Sequence, residues 1–279
     1  MLSFFKRYRL HRDKKHVHHY PFSFMTVCEH LAPMTSGTFE LANQSLENAS
    51  DWLYQQHNKN SAANLGHFSH EQIQSGEFQE SLSLALSRHS IPVILSNCTE
   101  AVLSILPVVV RDSDEVGIIH LSHKMNLKPT LEPRIGSAFH FALSRYRNVR
   151  LFFAGASQEE TKPEIWEYAE DQGCDWVTDR EFTFRYRKHL KQQIGNYLDH
   201  CDQVIISIDL SSLLVKNNLD SASSLDIQMV LRTIRHGLVS GKVKAIQLVG
   251  DRDRLIYSKQ TKAILEELYQ MSPLVDHAA

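Results

Sequence analysis

Cysteine is scarce in this chain, and what there is lies scattered. Cys28, Cys98, Cys174 and Cys201 include no C-x-x-C pair. That spacing gives no basis for a thiolate zinc site or a dense disulfide framework, and it reads as reduced, mostly buried thiols. No apolar run approaches the ~20 residues that span a bilayer, and the N-terminus lacks the ~7–15-residue apolar stretch of a secretory signal. The expectation is therefore a soluble, cytoplasmic protein with no membrane partner. Sixteen histidines are present, yet none falls in an H-E-x-x-H spacing, so a zinc-hydrolase motif is absent. G-x-G-x-x-G, G-x-x-x-x-G-K-[ST] and G-x-S-x-G are also missing, which removes the usual loops for nucleotide phosphates and the nucleophile elbow of serine hydrolases. There are no internal repeats and no low-complexity tracts.

What is present suits a folded α/β protein. The 279 residues are 42% hydrophobic and 22% charged, enough for a large core. The net charge of −2 is unevenly placed. Residues 1–15 carry Lys6, Arg7, Arg9, Arg12, Lys14 and Lys15 against Asp13, a charge of +5 that leaves −7 for the remainder. This arm, followed by His16, His18 and His19, reads as a solvated or oligomer-contacting segment. Nucleic-acid binding is not expected, because no fold-level motif accompanies the charge.

Residues 20–75 are polar, with one short apolar run from Phe22 to Val27, and read as loops and short helices covering a core. On this basis residues 1–64 form a basic arm and irregular segment packed on an α/β domain spanning 65–279. From residue 77 the pattern becomes regular. Phe78, Leu82, Ala85 and Leu86 share a helical face, and PVILS (92–96) follows as a strand. VGIIHLS (116–122), VRLFFAGAS (149–157), QVIISIDLS (203–211) and AIQLVGD (245–251) are further strands, and Asp175 to Thr178 reads as a short one. Thr161-x-x-Glu164, with Pro163 in the first turn, predicts a capped helix ending near Gly173. Leu190, Ile194 and Leu198 mark another helix. A further one, with Ser223 as its cap, carries the stripe Ile227, Val230, Leu231, Ile234 and Leu238, and a last one bears Ile264, Leu265 and Leu268. Uniformly apolar strands between amphipathic helices predict a three-layer α/β/α fold with a mainly parallel sheet. Such sheets place their sites at the carboxyl ends of the strands.

Those ends carry S-N-C-T (96–99), L-S-H-K-M-N-L-K (121–128) and S-I-D-L-S (207–211). In order and spacing they resemble the ureohydrolase family of arginase, agmatinase and formimidoylglutamase, whose motifs are G-G-D-H, h-D-A-H-x-D-x-R and S-I-D-x-D. I-G-S-A-F-H (135–140) resembles the formimidoylglutamase stretch S-G-T-P-F-R. The resemblance covers residues 65–270 and implies an arginase-like fold, oligomerisation, and a two-manganese site that hydrolyses C–N bonds of guanidino or formimino groups. At the matching positions the metal ligands are replaced: Thr99 stands for a histidine, Ser122 for an aspartate, Lys124 for a histidine and Asn126 for an aspartate. Of the last pair Asp209 remains and Ser211 replaces its partner; the acidic residue of the next strand becomes Gln247. One carboxylate beside a lysine does not offset the repulsion between two divalent ions, so no cofactor is expected.

Alternation along an extended segment would turn Ser122, Lys124 and Asn126 to one side. A buried ammonium and a carboxylate without its metal would then pair as Lys124–Asp209, with the neighbouring hydroxyls and amide as hydrogen-bond partners. Losing either member would cost ~3–5 kcal/mol. A one-residue slip bringing His123 inward would turn the apolar neighbours outward. His140 and Gln247 are candidate ligand-facing residues for a small amidine or amino-acid-like ligand. Cys98 lies among the candidates, but without an identifiable base it reads as structural. The expected function is a non-catalytic member of the ureohydrolase family with a binding or assembly role. The alternatives are a formimidoylglutamase-like C–N hydrolase of linear amidines and a structural subunit that joins an active relative.

Overall fold

The computed structural model describes residues 20–56, 62–111, 113–214 and 224–276. The basic arm, His16 to His19 and Ser223 lie outside these residues. Eight parallel strands form a single sheet: β1 (Phe22–Val27), β2 (Ala62–Phe68), β3 (Ile91–Ser96), β4 (Val116–Leu121), β5 (Val149–Ala156), β6 (Asp175–Thr178), β7 (Gln203–Asp209) and β8 (Val243–Val249). Their order across the sheet is β2-β1-β3-β8-β7-β4-β5-β6. The chain builds β1, β2 and β3 on one flank and β4, β5 and β6 on the other, with β8 and β7 between them. The carboxyl ends of the four central strands, β3, β8, β7 and β4, are thus a topological switch point, where open α/β sheets place their sites.

Each inner strand is apolar on both sides because each side meets a layer of helices. On one side, α1 (Ser36–Gln56), α7 (Arg187–Asp199), α8 (Ile227–Val239) and α10 (Lys259–Asp276) pack on Ile119, Leu121, Ile206, Ile208, Ile246 and Leu248. The opposite layer contains α2 (His70–Gln74), α3 (Glu77–Ser87), α4 (Val102–Val109), α5 (Ala138–Arg145) and α6 (Pro163–Asp171), and it covers Ile94, Ile118, Phe153, Ile205 and Ala245. α9 (Asp253–Ile256) is a single turn before α10. Burial of a leucine-sized side chain contributes about 1.5–3 kcal/mol, so both layers are tied firmly to the sheet. At Gly237 the approach of α8 is close enough that a Cβ would come within 2.8 Å of Ile206 Cδ1. Among the described residues no helix is long and apolar enough to cross a membrane.

The reading of residues 20–75 as loops and short helices is corrected. β1 lies inside the sheet between β2 and β3, fully buried, and α1 runs for 21 residues. Ala42, Leu46, Ala49 and Leu53 form its buried stripe at steps of four, three and four. Two capping assignments also change. Thr161 does not cap α6; its hydroxyl donates to the His123 carbonyl (3.2 Å), and Lys162 stands at the cap position. The cap of α8 is Asp226, whose carboxylate accepts from Gln228 N.

Candidate functional site

Within two residues of the strand tips, four polar side chains interrupt the apolar rows on the face that packs against α4 and α5. His120 of β4 lies beside Ser207 of β7, which lies beside Gln247 of β8, all in register. Ser96 of β3 lies beyond them. Ser207 Oγ donates to Gln247 Oε1 (3.0 Å), and Gln247 Nε2 donates to Ser96 Oγ (2.9 Å) and to the carbonyls of Cys98 (3.1 Å) and Thr99 (3.3 Å). His120 Nδ1 lies 3.2 Å from Ser207 Oγ, and its Nε2 lies 3.3 Å from Asn126 Nδ2. Asn126 Nδ2 also donates to Thr99 Oγ1 (3.1 Å), closing a ring of hydrogen bonds across four strands.

The ring assigns its own protons. Gln247 Oε1 can only accept, so the Ser207 proton points to it, and Ser207 Oγ accepts from His120 Nδ1–H. His120 Nε2 then carries the lone pair that takes an amide proton from Asn126. Neutral imidazole satisfies every bond. Burial holds His120 well below its ordinary value, against the pull of the Asp209 carboxylate, which agrees with the neutral form.

A second network surrounds Asp209. Its Oδ2 accepts from the hydroxyls of Ser122 (3.0 Å) and Ser212 (3.0 Å), and its Oδ1 accepts from Ser211 N (2.9 Å). The same two hydroxyls accept backbone N–H groups from the turn after β4: Lys124 N to Ser122 Oγ (3.0 Å) and His123 N to Ser212 Oγ (3.1 Å). The carboxylate therefore organises the tip of β7 and the turn after β4 together. The turn after β4 also packs on β5, where His123 Nδ1 lies 3.2 Å from the Gly155 carbonyl. Gly155 has φ +89°, and a Cβ there would come within 2.4 Å of Leu225 Cδ2, so both conformation and space require glycine.

The structure thus brings Thr99, Ser122, Asn126 and Asp209 to one place, with Ser122 inward as the proposed register requires. It does not bring Lys124 there. β4 ends at Leu121 and the chain turns, with Asn126 at φ +48°, so the alternation of an extended strand no longer governs residue 124. The Lys124 side chain is 57% exposed and its Nζ lies 4.0 Å from Glu160 Oε2; the buried pair with Asp209 is not formed. Ser211 contributes its N–H, whereas the hydroxyls on the carboxylate belong to Ser122 and Ser212. Gln247 is fully buried with its amide engaged by Ser207 and Ser96. His140 Nδ1 lies 2.8 Å from Tyr168 Oη, joining α5 to α6. Cys98 is buried, and burial pushes its thiol well above the ordinary value, as for a structural thiol.

Sequence reasoning missed Ser96, His120, Ser207 and Ser212. For His120 and Ser207 the signal was present as single polar residues in the apolar runs IIHL and IISI. It also missed Glu100, buried just past β3. Glu100 Oε1 accepts from the N–H groups of Gly136 (2.7 Å), Ser137 (3.0 Å) and Ala138 (3.2 Å) and so holds the start of α5. Among the described residues no group of three or more His, Cys, Asp or Glu could hold a metal ion.

No family model matches the sequence, and no curated protein matches it significantly. Solved structures do. Bacillus subtilis arginase superposes with a TM-score of 0.67 at 14% identity, over 89% of this chain and 98% of that one. Agmatine ureohydrolase of Thermoplasma volcanium gives 0.66 at 11%, over 94% and 91%. A Trypanosoma cruzi formiminoglutamase variant, solved with Mn2+, gives 0.66 at 13%, over 96% of each chain. This chain has the arginase-like fold. Within that fold, β1 is the first strand that the sequence did not reveal, and the two hydrogen-bond networks occupy the tips of the central strands.

Proposed function

We propose that this chain is a ureohydrolase-superfamily protein that keeps the arginase-like scaffold for binding or assembly and does not hydrolyse C–N bonds at a dinuclear manganese centre. The observation that carries this reading is the state of Asp209. It is the one carboxylate among Thr99, Ser122, Lys124, Asn126, Asp209 and Ser211, and its oxygens already accept two hydroxyls and a backbone N–H. Two divalent ions need several carboxylates and imidazoles to hold them against their repulsion. The donors at these tips are hydroxyls, an amide and an imidazole whose lone pair is taken by Asn126. That set does not fit a pair of manganese ions. The same reading carries a cytoplasmic location and self-association.

The test is metal analysis of untagged protein after reconstitution with manganese, followed by gel filtration. The expected result is far less than one equivalent of manganese per chain. Two tightly held equivalents, or release of ammonia, urea or formamide from arginine, agmatine or formimidoylglutamate by the pure protein, would overturn the proposal in favour of an amidine hydrolase.

A further inference from the structure

The groove between α7 and α8, the helices that flank β7 in the chain, has a different chemistry from the strand tips. It holds an open cavity of about 420 Å3 whose floor is apolar, with Leu190, Ile194 and Met229, and whose rim carries Arg187, Lys188, Lys191, Arg232, Arg235 and His236, with no carboxylate in the lining. Arg235 is matched by two bonds to Glu267 (2.8 and 2.9 Å). Among the described residues no carboxylate pairs with Arg187, Lys188, Lys191 or Arg232. Two of the four begin α7, whose first turn has no acidic residue. There the helix dipole is positive and disfavours them. Cations gathered against both their neighbours and a helix dipole break a local stability rule, and such breaks concentrate where a ligand restores the balance.

Two further features shape the groove. Phe184, 47% exposed, has the Arg187 guanidinium 4.3 Å and the Arg232 guanidinium 5.2 Å from its ring centre. Arg187 also donates to the Phe184 carbonyl (3.1 Å). The ring therefore holds two guanidinium forks from different helices near one another. Deeper in, His236 Nε2 is buried without a hydrogen-bond partner. That nitrogen faces Gly195 of α7, where a Cβ would lie 3.7 Å away, in ordinary contact. Burial and Lys191 lower the affinity of His236 for a proton, with Asp199 acting against them.

We propose that the α7–α8 groove binds a small anion of the polyphosphate class, clamped by Arg187 and Arg232 on either helix and neutralised by Lys188 and Lys191. Planar guanidinium forks suit phosphate oxygens, and the volume lies in the ~300–1,000 Å3 range of small-molecule sites.

Calorimetric titration of the full-length protein with inorganic pyrophosphate at fixed ionic strength tests this. The expected result is one saturable site per chain, weakened roughly tenfold or more, about 1.4 kcal/mol, in Arg187→Gln/Arg232→Gln and by a smaller factor in Lys191→Gln. Thermal melts establish that the variants are folded, and the single Lys191→Gln variant serves if the double one is not. Absence of saturable heat with about 1 mM pyrophosphate would overturn the site, as would affinity unchanged by the substitutions or equal displacement by sulfate. Tight binding of a single-stranded oligoribonucleotide that pyrophosphate does not displace would equally overturn it, by replacing the small ligand with nucleic acid.

Discussion

Ser207 has the most consequential hydroxyl in the central row, because it bonds both His120 Nδ1 and Gln247 Oε1. Its loss in Ser207→Ala would leave His120 Nδ1–H and Gln247 Oε1 unpaired in a dry environment. Each unsatisfied buried group costs about 1–3 kcal/mol, so the substitution should lower stability by about 2–6 kcal/mol, measured by urea denaturation. A loss under about 0.5 kcal/mol would mean that the ring is not closed in solution. Lys124 gives the contrasting case. Its ammonium is solvated and 4.0 Å from Glu160, and exposed pairs of this kind contribute about 0–1 kcal/mol. Lys124→Met should therefore change stability by less than about 1 kcal/mol, in the same assay. A loss of several kcal/mol would restore the buried Lys124–Asp209 pair.

The start of α5 depends at the element scale on a carboxylate from another part of the chain. Glu100 gathers three N–H groups that the helix itself cannot satisfy. Glu100→Ala should cost about 2–4 kcal/mol and accelerate hydrogen exchange at Gly136, Ser137 and Ala138 before the rest of α5; unchanged exchange there would show that other groups cap the helix. This contact also shows where sequence reading runs out. β3, β4, β5, β7 and β8 were legible because burial on both faces forces continuous apolar runs, whatever the loops do. α1 was not, although its buried stripe is regular, because Asn, Ser and Gln fill the remaining positions and its first turn offers no acid. β2 is a half-buried edge strand interrupted at Gly66, where its register to β1 shifts. Side-chain direction beyond a strand end was the other failure: period-two alternation held for Ser122, next to Leu121, but not for Lys124 after the turn had begun. Long-range caps such as Glu100 to α5 leave no local pattern at all.

For the whole molecule, buried titratable groups couple global stability to pH, and they pull in opposite directions. Burial lowers His67 to about 4 and also lowers His120. Both stay neutral in the fold while the unfolded chain takes up protons below about pH 6.5, so their contribution is lost as the pH falls toward 4. Glu29, beyond β1, is pushed up to about 7 by burial, with Glu100 adding to the rise and the Ser104 hydroxyl opposing it. Its sign is reversed. Below its ordinary value both states are protonated and nothing is lost. As the pH rises from there to about 7, the unfolded chain ionises while the folded one does not, and stability falls. The two effects mask each other in the wild type, but the histidines cancel when wild type is compared with Glu29→Gln. The variant should gain on the wild type steadily between about pH 4.5 and 7, by up to about 3 kcal/mol, and then hold that gain as the pH rises further. Urea denaturation across this range reads the difference directly. Parallel curves would mean that Glu29 is ionised in the fold at neutral pH, and that the space between the tips of β1 and β3 is wetter than its burial implies.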